Sequence, residues 1–550
     1  MRERPPYHAA VDGDSLRTSG GGPLPGDERG LPPVLRLAGR SREGTVLAFA
    51  LGASLLFTLA AALSSDSVFQ VDEHFQVAEF ASYKLGITSA RDLPWEFTAR
   101  IRSFVQPALY WALARAAAVA GVESPFALLR VFRVASGLLA WLALAALLLV
   151  ARRWFAQSSL RRGMYLSVCL VYFVPYLCAR TSSESLSTTF LLFGLAFLVA
   201  CEPEEARTPP RVGWRSLAAG LALGLAVECR YQVAMSVAGV LVHSLLRGER
   251  RALRTALLGL GVAASLGLGL LVDAWGYGSF ELVPWNYFRV NVLEGKAATF
   301  GVLPVVAYPF IFLLLFPPFG AMLLAGLALF WWRSRGHLLT WVTLPFFLGH
   351  SLIGHKEFRF MFPILIPAML CLFLVWARPA PAPARLSSFV AALERTWFAR
   401  ATWALNALCL AALCLLPSSD NFGLQHYFYD HARDRVRWVG FTDPAEPHSI
   451  RSPFLWPRPL PEVHLVKTVE DLAAEVAKSD RPVLVPAKFP LPRGAARFLD
   501  RRGERVFASL PPFLAHLNLF HWVERADLTY VYRIDPGVVP SRGQAAGALR

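Results

Sequence analysis

Charge is scarce in this sequence, and lysine is scarcer still. Only 17% of the 550 residues are charged, where a soluble chain carries roughly 25%. Six of the 55 basic residues are lysines: Lys84, Lys296, Lys356, Lys467, Lys478 and Lys488. With 55% of the chain hydrophobic, that shortage excludes an ordinary soluble enzyme and a disordered protein. The seven cysteines lie in or beside apolar blocks and form no CxxC pair, which excludes a disulfide scaffold and gives no metal or redox site. Neither GxGxxG nor GxxxxGK[ST] occurs, so no nucleotide-binding fold is expected. The first 30 residues contain no apolar core, so no cleavable signal peptide is expected.

What is present is apolar sequence in blocks of about 16 to 30 residues, the signature of a polytopic α-helical membrane protein. About eleven transmembrane helices are read at 45–63, 127–150, 164–180, 186–201, 214–230, 232–246, 255–272, 305–332, 337–353, 361–376 and 401–416. The block 305–332 contains Pro317-Pro318, so it is either broken or two segments. Residues 1–44 read as a disordered cytoplasmic tail. The long outer loop 64–126 includes an amphipathic stretch, 107–121, that suits the membrane interface. The formal charge of +16 sits at block ends and not in one patch, which argues for topology signals and against a nucleic-acid partner. Arg152, Arg153, Arg161, Arg162, Arg207, Arg211, Arg215, Arg247, Arg250, Arg251, Arg254, Arg333, Arg335, Arg378, Arg385, Arg395 and Arg400 all fall in short connections on one side, the inner one. The region 417–550 then faces outward. Strand character at 462–466, 482–485, 506–510 and 528–533, with amphipathic helices at 468–479 and 494–502, predicts a small extramembrane α/β domain there.

Four polar clusters fall on the outer side. The first is Asp72-Glu73-His74-Phe75-Gln76, continuing to Glu79. An α-helix from Asp72 would place Asp72, Gln76, Glu79 and Tyr83 on one face and turn Glu73 about 100° away. Adjacent carboxylates suit a general base; Asp72 as a plain helix N-cap remains equally open. The second is the turn His350–Phe360, with His355, Lys356, Glu357 and Arg359, which reads either as a phosphate-binding turn or as a snorkelling interfacial belt. The third comprises Arg180, Glu184, Glu228 and Arg230 at span ends, where costly charges face a cavity or one another, as Glu228–Arg230 and Arg180–Glu184 pairs. The last is the loop 273–292 with Trp285, Asn286 and Asn291, either a sugar-binding surface or an aromatic belt. Their common side favours one polar cavity.

These residues resemble the lipid-phosphate-mannose-dependent mannosyltransferases of glycosyltransferase family 22, and within it the branch that adds the third mannose of GPI anchors. DEHFQ at 72–76, RTSS at 180–183, the D-WGYG…VPWNYFRVNV loop at 273–292 and HKEFRF at 355–360 carry the likeness, in order, across 45–416. Two elements depart from it: Glu184 and Ser187 stand where the family has Asn and an acidic residue, and Leu303–Tyr308 replaces its Trp-His-Trp-Tyr element.

The resemblance implies a GT-C-type transmembrane catalytic module at 45–416. It would transfer mannose with inversion from a polyprenyl (dolichyl) phosphate-mannose donor to a glycan or glycolipid acceptor, on the lumenal or periplasmic side of an ER or bacterial inner membrane. Asp72 is then the expected base, with Glu73 second. His355, Lys356, Arg359 and Arg180 would hold the donor phosphate, and Gln76, Glu79, Arg230, Trp285, Asn286 and Asn291 the sugar or acceptor. No cofactor or metal is required. A GT-C transferase using another lipid-linked sugar is the nearer alternative. A lipid-linked-glycan transporter is the more distant one, since it predicts charges near the midplane and internal symmetry that the sequence lacks.

Overall fold

The computed structural model describes residues 33–64, 70–202, 212–247, 250–315, 319–377, 397–415, 420–431, 437–441, 452–455, 463–466, 468–488, 493–509 and 529–535. Arg207, Arg211, Arg378, Arg385, Arg395, Pro317-Pro318, positions 416, 462, 510 and 528 at the ends of expected elements, and residues 1–32 of the expected tail lie outside these.

Long apolar runs in this chain form helices that bury one another's surfaces. Among the described residues five helices are long and apolar enough to cross a membrane: Arg42–Leu63, Pro125–Trp154, Ser183–Cys201, Arg251–Tyr277 and Phe358–Val375. The chain is therefore a mostly helical integral membrane protein. Shorter apolar helices, Tyr231–Leu246, Phe319–Arg333, Leu338–Leu352 and Arg400–Cys414, stand at four further expected spans. The expected span 164–180 is divided: Ser158–Leu170 stops where Val171 turns extended, and Phe173–Cys178 follows. Block 305–332 likewise yields two helices, Ala307–Leu315 and Phe319–Arg333.

The tail expectation needs correction at its end. The first helix begins at Pro33, a residue whose fixed φ suits a helix start, and runs to Leu63. Its Glu43 carboxylate is gripped by Arg161 at 2.8 Å, so tertiary pairing orders what composition alone left polar and aperiodic.

Small residues let the helices approach closely. A Cβ on Gly220 would strike the backbone of Leu258 and Gly261, and one on Gly224 would meet Ser265. The helices Trp214–Cys229 and Arg251–Tyr277 thus pack backbone to backbone through glycine and serine at four-residue spacing. The two ends of the bundle differ in chemistry. At one end arginines close the connections: Arg153 donates to the Val199 and Glu202 carbonyls at 2.9 Å, and Arg254 to Ser244 at 2.9 Å. At the other end Asp72, Glu184, Arg230 and Arg359 meet.

The C-terminal region carries a five-stranded sheet, β1 (Arg437–Phe441), β2 (Val463–Val466), β3 (Val483–Lys488), β4 (Glu504–Ala508) and β5 (Thr529–Ile534), in the order β2-β1-β3-β5-β4. β1 pairs parallel with β2 and β3, whereas β5 runs antiparallel between β3 and β4. The helices Val469–Ala477 and Arg493–Arg502 match the expected ones to within two residues, and Thr468 caps the first by accepting from the Asp471 N–H at 3.1 Å. β1 and the helix Asp420–His431 are elements the sequence reading did not foresee. The region docks on the bundle: Phe422, Phe428, Phe454 and Leu484 share one apolar cluster with Val77, Ala81, Tyr110 and Phe126.

Opposed ends predict opposed accessibility. In membranes, an impermeant thiol reagent should label a cysteine at exposed Arg91, beside the acidic end, from one side only, and a cysteine at exposed Ser159, beside the arginine-rich end, from the other. Labelling of both from a single side would reject the outer placement of the polar clusters.

Candidate active site

A π-helical turn, Glu73–Ala78, sets the geometry of the first cluster. Its wider turn closes hydrogen bonds from i to i+5, so His74 comes to rest on Glu79 at 3.1 Å. This replaces the expected α-helical face. Asp72, Gln76 and Glu79 take three different sets of partners, and Asp72 makes no side-chain capping bond. Asp72 instead pairs with Arg359, its carboxylate 2.7 Å from Nη2, with the Asp72 side chain 28% exposed. Glu73, 2% exposed, accepts from the Thr181 N–H and hydroxyl at 3.3 and 3.1 Å. Gln76 donates to Glu96 at 3.0 Å.

Arg359 stands at the centre. Its Nε and Nη2 reach Glu357 at 2.7 and 3.0 Å in a side-on fork, and Nε lies 3.5 Å from Glu184. Glu184, 1% exposed, in turn pairs with Arg230 Nη1 at 2.7 Å. Charge thus runs Asp72–Arg359–Glu184–Arg230 across four chain segments. The pairs weighed from sequence, Glu228–Arg230 and Arg180–Glu184, are not the ones formed. Where the 214–229 helix ends, Arg230 turns extended and swings to the neighbouring helix, while Glu228 stays beneath it and accepts from Ser103 at 2.9 Å. The same Ser103 hydroxyl lies 3.1 Å from Asp273, and the Phe104 N–H donates to that carboxylate at 2.6 Å, which ties residues 103–104 to the 251–277 helix.

The remaining expected site residues are engaged locally. Lys356 donates to the carbonyls of Ile353 and Leu303 at 2.5 and 3.0 Å, and His355 bridges the Gly301 carbonyl and Glu357 at 3.1 Å each. Burial would raise the Glu357 carboxyl, but Arg359 and His355 together hold it below the usual carboxylate range. Arg180 lies over the Tyr176 ring at 4.4 Å and donates to the Ala61 carbonyl at 3.3 Å. In the loop after residue 277, Asn286 donates to the Arg100 carbonyl at 3.3 Å and Asn291 to the Tyr287 carbonyl at 3.1 Å, so both amides brace the backbone there. Trp285 is 53% exposed, and Phe280, Leu282 and Phe288 are exposed as well.

One group escaped the sequence reading. Ser452 donates to Glu79 at 2.5 Å and lies 2.6 Å from His74, so a serine from the C-terminal region locks the π-turn. No local signal marks it. His350, read from sequence as the start of the polar turn, is instead buried in the 338–352 helix.

With this geometry in hand, comparison with known proteins places the chain. Residues 50–422 match the profile of the Alg9-like mannosyltransferase family, and the chain belongs to that family. It is 25% identical over 320 residues to Mannosyltransferase APTG1 of Arabidopsis thaliana, covering 58% of this chain and 56% of that one. It is 26% identical over 356 residues to the human GPI alpha-1,2-mannosyltransferase 3, covering 62% and 61%. The chain thus spans about six tenths of the length of these relatives. Among solved structures, ArnT from Cupriavidus metallidurans bound to undecaprenyl phosphate aligns at 13% identity with a TM-score of 0.49, over 90% of this chain and 99% of that one.

The Glu79 lock predicts a pH dependence. Burial pushes this carboxyl up, yet the hydrogen bonds and charge of His74, with Ser452 and Thr88, bring it below its ordinary value of 4.5. A depressed folded-state value stabilises the protein above the ordinary one, and that stability is lost as pH falls through the lowered value. Glu79→Gln should therefore cost about 2 kcal/mol at neutral pH. Its deficit in thermal midpoint should shrink as both proteins are acidified below pH 4.5. A deficit constant down to the acid end would show that the ionised carboxylate is not what holds Ser452.

Proposed function

We propose that this chain is an inverting α-mannosyltransferase of GT-C type, taking mannose from a polyprenyl-phosphate-mannose donor to a hydroxyl of a glycan or glycolipid acceptor on the outer side of its membrane. Family membership supports the chemistry, and the unequal exposure of two neighbouring carboxylates supports the roles. Asp72 is part open and oriented by Arg359, whereas Glu73 is buried on Thr181. An alcohol is a poor nucleophile until a base within hydrogen-bond reach takes its proton. Asp72 takes that proton as the acceptor oxygen attacks the sugar C1. The bond from C1 to the phosphate oxygen breaks on the opposite face, and the electron pair leaves with the lipid phosphate.

Negative charge then grows on the phosphate. A guanidinium already fixed in place stabilises it without reorganisation. Arg359 serves here, since it touches the base and stands next to the Lys356–His355 turn. The step needs no metal. Glu73 and Gln76 act behind Asp72 by holding the π-turn to Thr181 and Glu96. The exposed Trp285 offers an aromatic face to the acceptor glycan.

The full-length protein, given labelled polyprenyl-phosphate mannose and a panel of glycolipid acceptors, should transfer mannose. Asp72→Asn should lower the rate by roughly a hundredfold or more with little change in donor binding or thermal midpoint, because Glu357 and Glu184 still pair Arg359. Glu73→Gln should instead lower the midpoint. Transfer by Asp72→Asn at near the unsubstituted rate would overturn the assignment of the base.

A further inference from the structure

The end of the bundle away from the charged network holds two arginines without acids. Helix Tyr231–Leu246 is followed at once by Arg247, and helix Phe319–Arg333 runs out through Ser334, Arg335 and Gly336 before the next helix begins at Leu338. At this end Arg161 has Glu43. Arg247 and Arg335 are both exposed, and among the described residues no carboxylate pairs with either. Two cations brought together with no acid between them repel each other, and an anion placed there removes that cost.

Both arginines are fixed in place. A Cβ on Gly336 would lie 3.1 Å from Cζ and Nη2 of Arg247 and 3.3 Å from its Nη1. Three nearly equal distances mean that the guanidinium rests on the glycine by its flat face, which leaves its N–H edges for another partner. The backbone beneath is braced: Arg254 donates to the Arg247 carbonyl at 2.8 Å and to Ser244 at 2.9 Å, and His243 Nε2 lies 3.2 Å from the Gly336 carbonyl. Arg335, next to Gly336 in the chain, lies over the Trp332 ring at 5.0 Å, and its carbonyl accepts from Trp341 Nε1–H at 3.1 Å. Trp332 itself is 72% exposed. One turn back along the two helices the surface is apolar, with Leu245 and Leu246 exposed on one and Leu329 on the other.

We propose that Arg247 and Arg335 form a headgroup site for an anionic phospholipid in the leaflet at this end of the bundle. Guanidinium edges give charge-assisted hydrogen bonds to phosphate oxygens. Gly336 is the floor that seats Arg247, and Trp332 stands at headgroup level, where amphipathic rings settle. The occupant is a lipid and not free phosphate, because the arginines stand where apolar helices end. Exposed apolar side chains continue from them along an acyl chain, and an inorganic ion has no use for those. The lipid is anionic and not zwitterionic, because a choline or ethanolamine group would bring a third cation to a place that already has two. Such a lipid also joins two helices that pack on each other, since Ser236 of one donates to the Val342 carbonyl of the other at 2.8 Å. No residue of the proposed reaction takes part, so this site stands independently of the function proposed above.

The thermal midpoint of the full-length protein in neutral detergent, titrated with phosphatidylglycerol, phosphatidylcholine or inorganic phosphate, tests this. Phosphatidylglycerol should raise the midpoint, and the other two should not. Arg247→Gln and Arg335→Gln should each weaken the apparent affinity for phosphatidylglycerol by roughly fivefold. Gly336→Ala changes no charge but unseats the Arg247 guanidinium, and should weaken it as well. Arg215→Gln is the matched control: that arginine also lies over an exposed tryptophan, Trp214, at 5.4 Å, and its loss should change nothing. Where Arg247→Gln lowers the lipid-free midpoint, Arg247→Lys replaces it, keeping the charge without the fork, and should still bind less tightly. A loss in Arg215→Gln as large as in Arg247→Gln would show diffuse attraction to a basic end and overturn the site. Equal stabilisation by inorganic phosphate would overturn the lipid as occupant, and a midpoint unmoved by phosphatidylglycerol in the unsubstituted protein would overturn both.

Discussion

A guanidinium buried at the end of a helical bundle must find carboxylates, and Arg359 finds three. Removing such a cation from water costs several kcal/mol unless its charge and its N–H groups are met. Here Asp72, Glu184 and Glu357 meet them, and each comes from a different stretch of chain. The first outer loop, the start of the 183–201 helix and the turn before the 362–377 helix are therefore not free to settle independently. The pairing draws them to one point, and the π-turn, the Thr181 contact and the swing of Arg230 accommodate that convergence.

The balance of charge at this point suits transfer chemistry. Three carboxylates face two guanidiniums, and Asp72, 28% exposed, is far more open than Glu184 at 1%. Glu184 bridges the two guanidiniums and keeps them in one network.

Much of the scaffold was legible because apolar length and period-2 alternation are local properties. The strands expected at 482–485 and 528–533 overlap β3 and β5, and the amphipathic helices appear almost residue for residue. β1 was not legible: five residues, Arg437-Trp-Val-Gly-Phe441, follow a charged run and gain their structure from β2 and β3 on either side. The convergence of the polar clusters was legible from the one-sidedness of the arginines. Which acid meets which base was not. Glu184 and Arg230 lie 46 residues apart, so their pairing is a property of helix packing. The π-turn was hidden for the same reason, since its lock joins His74 to a serine 378 residues further along.

That lock bears on where this molecule can be divided. By composition the chain parts after residue 416, membrane on one side and an α/β region on the other, as if the second were an appendage. Ser452 does not respect the boundary. Its hydroxyl is the far end of a bolt whose near end is Glu79, seven residues from the proposed base, and Phe422, Phe428 and Phe454 roof the helices that carry it. A shortened chain could keep every member of the charged network and still lose the frame that aims Asp72. In engineering terms the C-terminal region and the helices it covers are one unit, and they can be moved into another protein only together.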